Sequence, residues 1–119
     1  MNALLSIHWL LAGSIWYFAN GVLHDIFILK NHQGPYNRDL LRLLMDGHLL
    51  IFSGILLFIA YQMAKNNVYY GALIGIVIAI SMLVYCFMIF PFLKSFVTMF
   101  ISIMVMAVCI RLYTNPESI

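Results

Sequence analysis

Four stretches of this chain stay apolar for about 20 residues at a time, at 4–23, 45–64, 68–90 and 92–113. At 1.5 Å of rise per helical residue, each matches the roughly 30 Å hydrocarbon core of a bilayer. The run from Leu49 to Ala64 contains no charged residue. Composition agrees: 65% of the residues are hydrophobic and 8% charged, whereas charged residues make up about a quarter of a soluble domain. Water is therefore not the main solvent. These features predict an all-α integral membrane protein, a single domain over 1–119 in the form of a four-helix bundle running up-down-up-down.

Local signals set the expected helix limits at about 4–29, 37–65, 68–90 and 92–113. Gly34 and Pro35 make the strongest break, and Asn37 is a good N-cap for the second helix. The first two helices are longer than a bilayer needs, so the hairpin joining them is expected to extend past the membrane. Lys65, Asn66 and Asn67 form the second turn, Pro91 ends the third helix, and 114–119 is a short polar tail. The first stretch lacks a basic leader and a small-residue cleavage pattern, so it is read as a retained helix. Cys86 and Cys109 fall at different depths and are expected to remain free thiols.

The net charge of +2 is too small and dispersed for a nucleic-acid partner, and no phosphate loop, serine nucleophile motif or cysteine-pair metal motif is present. No catalytic pair stands out. The turn sequence Asn-His-Gln-Gly-Pro-Tyr-Asn at 31–37 resembles the Asn-Gln-Gly-x-Tyr-Asn turn that small four-helix membrane families of unknown function carry after their first helix. That resemblance covers some seven residues and brings no activity with it.

Lys30, Arg38, Arg42 and Lys94 lie at one end of the bundle, against Lys65 and Arg111 at the other. The bias of basic residues toward the cytoplasm then places the 31–36 turn inside and both termini outside, in a membrane of the bacterial inner-membrane type. Trp9, Tyr61, Tyr69, Tyr70 and Tyr113 gather at the outer end as an expected aromatic belt.

Antiparallel alignment of the first two spans puts Leu23 level with Met45. His24 and Asp25 then share a depth with Asp46 and His48, forming a polar layer at one membrane boundary. On helix 1, Trp16, Asn20 and His24 lie four apart on one face beside Gly13 and Tyr17, while His24 and Asp25 diverge by about 100°. Asn20 and His24 either hydrogen-bond a neighbouring helix and hold the bundle together, or take part in function. On helix 2, Arg38, Arg42 and Asp46 are four apart and Asp39 lies three before Arg42, a spacing suited to a ladder of ion pairs. His48 points about 200° from Asp46, so the Asp-Gly-His triplet is no chelating unit, and Gly47 lets another backbone approach.

Gly71 and Gly75, continued by Ala79, and the stripe of Ser95, Thr98, Ser102 and Cys109 are packing surfaces of the kind lipid-embedded helices use. Spacing leaves open whether those contacts form within one bundle or between copies. The eight methionines are expected to be pliable filler rather than a metal path.

Three functions fit this pattern. Ionisable groups inside a membrane are costly enough to point to function. A transporter, channel-like or ligand-binding protein would use Asn20, His24, Asp25, Asp46 and His48 as its proton- or ligand-binding set. An accessory subunit of a larger membrane complex would need no site. A redox module would hold haem, or a metal, at His24 and His48. Expected partners are the lipid bilayer and either further copies of the chain or another membrane subunit.

Overall fold

The computed structural model describes residues 3–66, 68, 70–90 and 96–114, without the side chains of 3–6. Within them lie four helices: α1 (Ala3–Asn31), α2 (Arg38–Lys65), α3 (Tyr70–Ile89) and α4 (Phe96–Thr114). Each begins or ends within a few residues of its expected limits. The expected start of the fourth helix at 92, with Pro91, Lys94 and Ser95, falls outside the described residues. Asn37 caps α2 as expected: its side-chain oxygen accepts the backbone N–H of Leu40 at 2.9 Å, which satisfies one of the N–H groups a helix start leaves unpaired. In the turn before it, Gly34 has φ of +103°, a conformation open to glycine and strained for other residues.

Neighbouring helices pack in the cyclic order α1–α2–α3–α4 and back to α1, with α1 against α2 the most extensive pairing. All four pairings are antiparallel: Gly21 meets Gly47, Gly71 meets Ala60 and Ala64, Gly75 meets Cys109, and Gly13 meets Ile101 and Val105. The result is an elongated up-down-up-down bundle, 55 Å in its longest dimension. Its core runs along the axis through Leu10, Tyr17, Leu57, Ala79, Met82 and Val105. Large apolar side chains such as Ile15, Phe27, Phe52, Val77 and Phe87 point outward, an arrangement that lipid solvates and water does not.

Among the described residues three helices, α2, α3 and α4, are long and apolar enough to cross a membrane. They suggest an integral membrane protein. α1 has the length, 29 residues, but mixes His8, Asn20, His24 and Asp25 into its apolar sequence. Three of the four expected spans are thus supported by length and composition.

The belt of aromatics needs correction. Tyr61 is buried, with 4% of its surface exposed, and its hydroxyl lies 3.5 Å from His8 Nδ1, while Lys65 sits 6.0 Å from its ring centre. Trp9 is half-buried and meets Phe100 edge to face. Tyr70 and Tyr113 are exposed, and Tyr69 lies outside the described residues.

Candidate functional site

Glycine sets the geometry of the α1–α2 seam. A Cβ placed on Gly21 would come within 2.6 Å of the Gly47 carbonyl oxygen, and one on Gly54 within 2.7 Å of the Phe18 backbone nitrogen. Two helices can approach this closely only where side chains are missing, and van der Waals contact between backbones then replaces the hydrophobic effect that lipid does not supply. Ser14 and Gly21 on α1, and Gly47 and Gly54 on α2, recur every seven residues, so each small residue meets the opposing helix two turns after the last.

At the hairpin end of this seam the carboxylate of Asp25 occupies the space that any side chain at Gly47 would fill. His24 Nδ1 lies 3.5 Å from Asp25 Oδ1. The expected divergence of these neighbours is overcome as the Asp25 carboxylate reaches into the gap that Gly47 leaves. Both atoms are sealed from solvent, and neither has a hydrogen-bond partner among the described residues. Theirs is the one contact within 4 Å between a basic side chain and a carboxylate among the described residues. A groove of about 410 Å³ opens beside it, lined by Asp25, Leu29, Leu41, Leu44, Met45 and His48.

The structure thus sets His24 against Asp25 and puts Asp25 and His48 on the same groove. Asp46 is half-buried on the other flank of α2 and interacts electrostatically with Tyr85 of α3. Arg38, Asp39 and Arg42 are exposed, and the ladder of ion pairs expected for them, including Arg42 with Asp46, does not form within 4 Å. Exposed side chains at a helix start gain little from such pairs and lose rotamer freedom in making them. Asn20 is half-buried and has no hydrogen-bond partner among the described residues. No group of three His, Cys, Asp or Glu side chains able to hold a metal ion occurs among the described residues.

The polar stripe of α4 meets α1. Trp16 Nε1 donates to Thr98 Oγ1 at 3.0 Å, Tyr17 and Ser102 join their hydroxyls, and Ser102 Oγ also donates to the Thr98 carbonyl at 2.8 Å. Ser95 lies outside the described residues. Gly71 and Gly75 pack inside the bundle, against α2 and against Cys109 of α4. That surface is buried in a single copy and is not free for association between copies. Cys86 and Cys109 are both free and buried.

His8 and its contact with Tyr61 are absent from the candidates read from the sequence. The same antiparallel register that levels Leu23 with Met45 also levels position 8 with position 60, so it would have found them. Compared with protein-family models, curated proteins and solved structures, the chain matches none.

Proposed function

We propose that this chain is a small multi-pass membrane protein, with α1 crossing beside the three more apolar helices, and that its His24–Asp25 pair binds and releases a proton as a small ligand enters the adjoining groove. The observation that carries this reading is the pair itself: two ionisable atoms 3.5 Å apart, sealed from solvent and without hydrogen-bond partners. Burying polar atoms unsatisfied costs about 1–3 kcal/mol each, and ionisable groups in a membrane protein favour a functional role. Histidine changes charge near neutrality, and a carboxylate in contact with it makes its proton sensitive to anything else that approaches that carboxylate. His48 lines the same groove and supplies a second imidazole that can meet a ligand.

A haem held between His24 and His48 fits poorly, because α1 and α2 meet backbone to backbone at Gly21 and Gly47 and leave no slot for a macrocycle between them. Proton-uptake titration of the protein in nanodiscs tests the proposal. His24→Gln and Asp25→Asn should each alter the uptake curve between about pH 5 and 8, and Asp46→Asn should leave the His24-dependent part unchanged. Curves identical for the native protein and Asp25→Asn would overturn it.

A further inference from the structure

The lining of the groove narrows the ligand class, on the premise that the His24–Asp25 layer is a ligand site as proposed above. Asp25 is the one carboxylate on its wall, His48 adds an imidazole, and Leu29, Leu41, Leu44 and Met45 make the remainder apolar. A volume of about 410 Å³ lies in the range of small-molecule sites. An anion entering would face the Asp25 carboxylate. A hard metal ion would need several oxygen or nitrogen ligands, and no such cluster exists among the described residues. We propose that the ligand is a monovalent organic cation with an apolar body, an alkylammonium in its simplest form. Its head rests on Asp25 and its hydrocarbon lies along the leucines and Met45.

Charge balance then couples the cation to a proton. The proposed exchange starts from the pair in its proton-bound form, an imidazolium facing a carboxylate. When the alkylammonium head takes up the carboxylate, the two positive charges compete for one negative charge, and the imidazolium proton leaves to water. One cation enters, one proton departs, and the net charge of the site is unchanged. Of the charged groups near this end, Lys30 on α1 is exposed. From α2 the groove receives His48 as its one titratable side chain. The described part of α4 places Arg111, its one charged residue, at the opposite end. Arg38 and Arg42 are exposed at the helix start.

Hexyltrimethylammonium, whose charge is permanent, is the probe, and 2,2-dimethyloctane is its neutral isostere. Binding is measured on the full chain in zwitterionic nanodiscs, with empty nanodiscs subtracted and proton release followed by a pH indicator in weak buffer near pH 6.5. The native protein should bind the cation saturably, releasing at most one proton per cation, and should not retain the isostere. Asp25→Asn should lose roughly tenfold or more in affinity, equivalent to about 1.4 kcal/mol. His24→Gln should keep binding and lose the proton release. Equal retention of cation and isostere by the native protein would overturn the proposal, and this comparison does not depend on any variant folding. Undiminished binding by a folded Asp25→Asn would overturn it as well. If Asp25 still governs the titration of His24 but no cation binds, the ligand class falls while the proton-binding site stands; if neither holds, both fall.

Discussion

Asp25 of α1 lays its carboxylate over Gly47 of α2, in the space where a side chain at 47 would stand. The glycine seam and the His24–Asp25 pair are therefore one structural unit. Gly47→Ala should push the Asp25 side chain out of the seam and separate it from His24. The clash involves the movable end of a side chain, with the Gly21 carbonyl oxygen at 2.9 Å as the next constraint, so the fold should survive at reduced stability. A His24 titration that no longer changes on Asp25→Asn in this background is the expected result.

Gly54 offers a contrast, because the atoms nearest its missing Cβ are the Phe18 nitrogen and the Ser14 carbonyl oxygen at 2.7 and 2.8 Å. Backbone cannot rotate aside. Gly54→Ala should separate the helices and cost about 1–3 kcal/mol, the range for overpacking a tight core. Thermal melting in a fixed detergent, followed by helical circular dichroism, measures it, and an unchanged midpoint would contradict a close seam.

The four helices, the antiparallel register of α1 on α2 and the shared level of Asp25 and Gly47 were legible because they depend on residue spacing and on glycine, proline and asparagine signals. Side-chain partnership was less so. Asp46 looked paired because Arg42 lies four residues before it, but exposed ends of long side chains do not hold such geometry. Asp25 looked turned away from His24 because helical spacing ignores the room a facing glycine provides. Gly71 and Gly75 looked equally suited to contacts within or between copies, and only the placement of Cys109 and Ala60 in three dimensions decides between them. Trp16 and Tyr17 could not be matched to Thr98 and Ser102, since α1 and α4 are far apart in sequence and no short turn fixes their register.

That α1–α4 contact yields a further test. Tyr17→Phe and Ser102→Ala should each destabilise the bundle, and the double variant should cost less than their sum. The coupling should be about 0.6–1.7 kcal/mol, as for other hydrogen bonds between membrane helices. Strict additivity would mean that the two hydroxyls do not interact.

Burial of Gly75 against the Cys109 thiol predicts that Gly75→Leu loosens each copy of the bundle. Mass in detergent should stay at its native value while the melting midpoint falls. A drop in oligomer mass with no loss of stability would instead place that face between copies.

Helix capping is testable at the hairpin. Asn37→Ala removes the acceptor for the Leu40 N–H and should lower stability by about 1 kcal/mol, while Asn37→Asp, which keeps an acceptor, should recover most of it. Hydrogen exchange at the Leu40 amide reports the same bond locally.

The most direct test follows the ring nitrogens of His24 by ¹⁵N NMR in bilayers, across about pH 5 to 8, in the native protein and in Asp25→Asn. Asp25 Oδ1 lies 3.5 Å from His24 Nδ1, so neutralising Asp25 should alter the His24 curve. A His24 curve that is the same in both proteins would contradict a coupled pair, and with it the proposed site.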